Sequence, residues 1–245
     1  MDLELHGEVR AAPGLSEVAS TARELEEDGF DGALVVPSGP EVWPAVGRAL
    51  AATSRLRIAV AHRIGTTGPM ATGGRLGAHL TIDSGDDEHL SLLTRHLDRD
   101  HAHPISLGGT SPHCLPLAAR HARVYDVPAL PLPDTRRRIA EAHATAARHG
   151  RTLRISRHVT VVLAETEDAA RRRLRELLAE TDAATRRRLA TAHTGTPATV
   201  ATRLHLLRST GVQLLRLSFP APQPRPLRRE LITRLRNPQP LRRAW

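Results

Sequence analysis

Gly108-Gly109-Thr110-Ser111 is the segment of this chain best suited to binding chemistry. It stands between an apolar run, Ile105-Ser106-Leu107, and a helical run from Leu115 to His121. Paired glycines let a backbone approach a ligand closely, and a helix N-terminus offers free N–H groups at the positive end of its dipole. The two hydroxyls can hydrogen-bond phosphate oxygens. The same residues also suit an ordinary strand-to-helix turn with Thr or Ser as its cap. His158 lies in Arg157-His158-Val159-Thr160, inside a β-branched run. It can bind an anion or assist proton transfer, or it can be a buried, hydrogen-bonded structural histidine. His6, His79 and Asp83 fall at two further strand candidates, where they would line a rim. His96, Asp98, Asp100, His101 and His103 form a His/Asp cluster. Its spacing matches no structural zinc pattern, so it reads as a solvated charged connection and no metal is expected. The sequence has no G-x-S-x-G elbow, Walker loop or H-E-x-x-H. Serine hydrolases, P-loop NTPases and the common zinc peptidases therefore lose their usual support.

These residues must be positioned by a repeating order of short apolar runs and amphipathic helices. Strand candidates are Leu3–His6, Gly32–Val36, Leu56–Ala61, Arg75–Ile82, Ile105–Leu107, Val124–Val127, Leu153–Ala164 and Val212–Phe219. Helices are expected over Leu15–Asp28, Val42–Thr53, Leu115–His121, Thr135–His149, Glu167–Glu180 and Ala198–Thr210, with a short one at Glu88–Leu97. In the first, apolar residues at 15, 18, 19, 22 and 25 follow helical spacing. Gly29, Gly150 and Gly211 stand just past helix ends, as a C-terminal stop does. Strands alternating with helices imply a parallel sheet, and eight such units favour a closed (β/α)8 TIM-type barrel. Right-handed crossovers then gather the strand C-terminal ends on one rim.

The chain has 245 residues, which suits one barrel. Aromatics are 2% of it, so the core must be mostly Leu, Val, Ile and Ala. Its single cysteine, Cys114, excludes an intramolecular disulfide and a cysteine-built metal site. No secretory signal or membrane span is evident, and a cytoplasmic protein is expected. Net charge is +9, and every basic residue is Arg. Residues 221–245 hold seven Arg against Glu230 alone, which is +6 of that charge. The barrel is accordingly placed at residues 1–220. The Arg/Pro-rich segment 221–245 is expected to be a poorly ordered or loosely docked tail. Biased codon usage accounts for the Arg excess, and nucleic acid is not an expected partner, since aromatics for base stacking are scarce.

Three stretches resemble one family. The first runs from Leu15 to Ala61 through Gly29-Phe30-Asp31-Gly32-Ala33-Leu34-Val35 and Trp43, and on through His62-Arg63 to Thr67-Gly68-Pro69. The second is Pro104 to Ser111, continuing through Leu117-Ala118-Ala119 and Tyr125. The third is His149-Gly150-Arg151 through Glu165-Thr166-Glu167, followed by Gly195-Thr196-Pro197, Gly211-Val212 and Leu217-Ser218-Phe219. In order and spacing they are similar to the luciferase-like flavin-dependent monooxygenases, alkanesulfonate monooxygenase especially. The likeness is to a compressed barrel. Only Met70-Ala71-Thr72 separates Pro69 from Gly73-Gly74-Arg75, where the family has a helix. The excursions after strands four and seven are reduced to Gly85–His103 and Thr181–Gly195.

The resemblance implies an oxidoreductase that uses reduced FMN and oxygen on a small organic, alkanesulfonate-like substrate. A separate flavin reductase and a homodimer are implied as partners. Two alternatives stand beside it: a catalytically degenerate flavin- or partner-binding barrel, and an oxidoreductase using the deazaflavin F420. The cofactor carries the hard chemistry, while the protein binds it, excludes water and steers the substrate. The resemblance points to Gly108, Gly109, Thr110 and Ser111 for the flavin phosphate, with His79 and Asp83 also assigned to the cofactor. Arg63 matches a family arginine and can grip flavin or a sulfonate bidentately, or be a plain surface residue. His158 and Arg63 are the catalytic candidates. The family has an Arg and a His two apart on the seventh strand. Here those positions hold His158 and Thr160, and Arg157, one place off, is expected to turn outward. The family's cysteine after strand two is replaced by Ser38-Gly39-Pro40-Glu41.

Overall fold

The computed structural model describes residues 3–10, 15–36, 42–63, 74–82, 94–95, 97, 105–220 and 223–237. Within them β1 (Glu4–Arg10), α1 (Leu15–Glu27), β2 (Gly32–Val36), α2 (Val42–Ala52), β3 (Arg57–Arg63) and β4 (Leu76–Thr81) come first. Then follow β5 (Ile105–Gly108), α3 (Cys114–His121), β6 (Val124–Asp126), α4 (Leu132–Ala147) and β7 (Arg154–Leu163). The chain ends with α5 (Glu167–Glu180), α6 (Ala183–Leu189), β8 (His193–Gly195), α7 (Pro197–Arg208), β9 (Leu214–Ser218) and α8 (Arg225–Arg236). The expected helix Glu88–Leu97 falls largely outside the described residues, and the Pro69–Gly73 connection and the whole His/Asp cluster fall outside them. No described helix is long and apolar enough to cross a membrane.

Strands β1 to β7 pair in sequence, β7 pairs with β9, and β9 returns to β1, all in parallel. The expected eight-stranded barrel is therefore closed, with β9 as its eighth stave. The three-residue β8 joins only the C-terminal end of β7, through Val161 to Leu163. Successive side chains of a strand point to opposite faces. Outward residues such as Leu5, Val35, Ile58, Leu107 and Leu217 form the core against the helices. β1 runs four residues past its expected end at His6. Gly7 makes this possible, because a Cβ there would lie 2.5 Å from Leu25 of α1. Leu25 packs directly onto the bare strand.

The tail is the main departure. Residues 225–236 form α8, which buries Leu231, Ile232 and Leu235. Its arginines are held by the end of α1. Arg225, Arg228 and Arg229 all reach the Asp28 carboxylate, which is fully buried, at 2.5 to 2.9 Å. Arg236 bonds Asp31 at 2.6 Å and the Leu3 carbonyl at 2.8 Å. The segment is a docked element, because its charge is matched by α1 acids and its apolar residues recur at helical spacing.

Candidate active site at the barrel mouth

Barrel interiors are ordinarily filled with branched apolar side chains. This one is filled with charge. On β1 the inward residues are Glu4, His6 and Glu8, and each layer of the interior pairs acids with bases. In the lowest layer Glu4 takes His6 Nε2 at 2.6 Å, Arg57 at 2.7 Å and Arg154 at 2.5 Å. Burial pushes the Glu4 carboxyl up, but His6 and Arg154 more than offset it and hold it at about 2.

The middle layer centres on Arg216 of β9, 3% exposed. Its Nη1 donates to Ser156 Oγ at 2.9 Å and its Nη2 to Ser106 Oγ at 2.8 Å. The Ser156 hydroxyl then donates to Asp126 Oδ1 at 2.8 Å, an atom that lies 3.3 Å from Arg216. Burial raises the Asp126 carboxyl, and the Arg216 guanidinium brings it below its ordinary range. Ser106 Oγ lies 3.1 Å from His79 Nδ1. Since that oxygen accepts from Arg216, its proton is free for His79, which leaves Nε2–H facing Asp126 at 4.0 Å. Burial, with Arg216 nearby, lowers His79 to about 3, so this imidazole is neutral.

Above these layers a cavity of about 350 Å³ opens at the C-terminal ends of the strands. His79, Thr81, Gly109, Thr110, Asp126, His158 and Thr160 line it. Val127, Pro128, Ala129 and Val159 give it an apolar wall, and Arg157, Arg188, Thr191 and His193 a polar one. Burial and Arg157 lower His193 to about 4. The acid among these residues, Asp126, is already matched by Arg216. Arg157, Arg188 and His158 therefore leave the mouth suited to an anion.

Of the residues expected at a site, His79, Gly109, Thr110 and His158 meet at this cavity. Gly108 lies below it, where a Cβ would fall 2.7 Å from Asp126 Cβ. Ser111 serves the turn instead. Its N–H donates to the Ile82 carbonyl at 3.0 Å, and its Oγ accepts from His113 N at 3.3 Å. His6 lies deep in the barrel, paired with Glu4. Arg63 closes β3 opposite Thr81, and its side chain is outside the described residues, as is all of Asp83. His158 is more open than a structural histidine, with 37% of its side chain exposed.

Arg157 departs from its expected place. It is buried and lines the cavity, with Nη1 3.5 Å from the Val127 carbonyl. β6 pairs with β7 only as far as Ser156, so Arg157, the next residue, lies beside the end of β6 and its guanidinium reaches the Val127 carbonyl there. Sequence reasoning also passed over Glu8, Asp126, Arg216 and the α6–β8 arm. The usable signals were the alternation Glu4-His6-Glu8 and one arginine inside Leu214-Leu215-Arg216-Leu217.

Fold and site define a closed parallel α/β barrel with a cationic cavity at its C-terminal mouth. The model of the luciferase-like monooxygenase family matches residues 76–214, more than half of the chain, and the chain belongs to that family. Solved structures share the fold at low identity. The EDTA monooxygenase of Chelativorans sp. BNC1 is 13% identical with a TM-score of 0.78, over 96% of this chain and 93% of that one. An F420-dependent secondary alcohol dehydrogenase, in complex with an F420-acetone adduct, is 13% identical with a TM-score of 0.75, over 97% and 100%. The oxygenating constituent of 3,6-diketocamphane monooxygenase from Pseudomonas putida, in complex with FMN, is 14% identical with a TM-score of 0.66, over 98% and 99%.

Proposed function

We propose that this chain is an oxidoreductase that binds a reduced flavin-type cofactor, FMN or the deazaflavin F420, at the barrel mouth and acts there on a small organic substrate. The reading with FMN and oxygen makes it a monooxygenase supplied by a separate flavin reductase. The observation that carries the reading is the cavity itself: an opening bordered by the Gly109–Thr110 turn, an apolar shelf and a set of cations. Its volume of about 350 Å³ lies in the usual range for ligand pockets, about 300–1,000 Å³. A phosphorylated ring system needs both surfaces. The Val127–Ala129 shelf with Val159 suits the ring, while Thr110, the Gly109 backbone and Arg157 suit the phosphate. The residues present fit the group.

When bound, reduced flavin supplies the electrons, and with FMN these pass to oxygen. The chain's own residues do the rest. Arg157 and Arg188 hold an anionic portion of the ligand, and the apolar shelf keeps water from one side of the site. His158 Nδ1 exchanges a proton with the substrate. Anaerobic titration of the full chain with reduced FMN and with reduced F420 tests the reading. One of the two should bind with a Kd on the order of tens of micromolar or tighter, and Arg157→Met should weaken it at least about tenfold. If neither reduced cofactor binds, the reading fails. Tight binding without turnover of any sulfonate, alkane or aldehyde would favour a degenerate, flavin-holding barrel.

A further inference from the structure

Among the described residues three acids lie inside the barrel, and two of them are matched by buried or multiple cations, Glu4 by Arg57 and Arg154, and Asp126 by Arg216. Glu8 is arranged differently. It sits on the inner face of β1, one layer nearer the mouth, with 8% of its side chain exposed. Its Oε1 accepts from Arg10 Nε at 3.1 Å, but Arg10 is 54% exposed and solvent screens that pair. The Ser218 hydroxyl of β9 tethers the carboxylate from the side. Its Oε2 faces His158 Nε2 of β7 at 3.6 Å, across the intervening β9.

We propose that Glu8 is the positioning residue for His158: the tethered carboxylate draws the Nε2 edge of the ring inward and leaves Nδ1 for proton exchange at the cavity. The inference rests on the proposed function for what that proton serves, and on geometry alone for the pairing. The distance of 3.6 Å is an ion-pair separation. A small tilt of the ring closes it to a hydrogen bond, as acid–base contacts do when a ligand seats. A carboxylate behind an imidazole fixes which nitrogen carries the proton. Other charges also face His158. Arg216 is its register partner on β9, Asp126 lies on β6 and His79 on β4, and Arg157, Arg188 and His193 share the cavity. Asp126 also acts on the ring through its charge, but its Oδ1 is engaged by Arg216 and Ser156, so among the described residues Glu8 is the acid that pairs with His158 directly. His158 and Ser218 hold Glu8 at about 2 against its burial, so it stays ionised wherever the chain is folded near neutrality.

Glu8→Gln keeps the size of the side chain and removes its charge. Nitrogen-15 NMR of the histidines in the full chain, with no flavin added, reads the pairing directly. His158 should carry its proton on Nε2 in the parent and lose that preference in Glu8→Gln. Glu8→Asp should restore it in part. A His158 spectrum unchanged in Glu8→Gln overturns the proposal. The functional arm follows the oxidation of bound reduced FMN in aerated buffer from about pH 5 to about pH 9. Glu8→Gln should move the midpoint of that profile, while FMN affinity changes less than about twofold. An unmoved midpoint overturns the functional half. Failure of FMN and F420 to bind would sink the oxidoreductase reading and leave the NMR result to decide the pairing. Should Glu8→Gln not fold, Ser218→Ala loosens the same carboxylate and should shift the His158 signal the same way. No shift there overturns the pairing.

Discussion

Gly109 is constrained from two sides. Its φ of +128° lies where side chains are strained, and a Cβ would stand 2.2 Å from the Ile82 carbonyl oxygen. That oxygen accepts the Ser111 N–H, the bond that ties the end of β4 to the turn before α3. Gly109→Ala must therefore push the turn away from β4. The expected loss is about 2–4 kcal/mol, read from the urea midpoint at constant m-value. A loss below about 0.5 kcal/mol would show that the turn moves freely. The sequence marks this glycine as a candidate for ligand approach, and the structure gives it a packing reason. His79 and His158 were legible because a histidine is conspicuous in an apolar strand. Arg216 was passed over. In a chain with 35 basic residues, all Arg, a single arginine among the leucines of β9 is a faint signal, even though this one is almost wholly buried.

Among the elements, α8 separates two sources of stability. Leu231 and Leu235 are fully buried, while the arginines that grip Asp28 are 37%, 12% and 51% exposed. Leu235→Ala should cost about 3 kcal/mol, the usual range for emptying a core site. Asp28→Asn should cost less, about 1–2 kcal/mol, because exposed guanidiniums regain water when the acid is lost. Urea denaturation of both variants decides the order. A larger loss for Asp28→Asn would mean that the ion cluster, and not the apolar seam, docks the helix. Composition hid this helix. Seven arginines and several prolines dominate 221–245, and the Leu227, Leu231, Leu235 period beneath them is only three residues deep. The long strands and helices were legible to within a few residues because their periodicity is sustained. α6 and β8 were not, since seven and three residues are too few to show a period, and β8 pairs only with the end of β7. That arm nevertheless supplies Arg188, Thr191 and His193 to the cavity, so part of the site was illegible for the same reason.

For the molecule as a whole, filling a barrel with ionisable groups ties the fold to pH. Glu4 and Glu8 ionise at about 2 in the fold, against 4.5 in an open chain. His79 and His193 protonate at about 3 and about 4, against 6.5. All four shifts have the same sign. The folded chain binds fewer protons than the unfolded one, so acid favours unfolding at every step. Stability is complete above about pH 6.5 and is first lost as the unfolded imidazoles charge. It falls further below about pH 4.5, where unfolded carboxyls take up protons that Glu4 and Glu8 refuse. Keeping a buried histidine neutral to this extent accounts for about 3–5 kcal/mol, a large part of an ordinary domain's roughly 5–15 kcal/mol. Urea midpoints should therefore decline steadily from about pH 7 to about pH 4, with no plateau near pH 5. His79→Gln removes one deeply buried imidazole, so it should make the upper limb shallower and leave the lower one intact. A parent curve that is flat down to about pH 5 would mean that water reaches the interior histidines and that the charged layers are not sealed as the structure draws them.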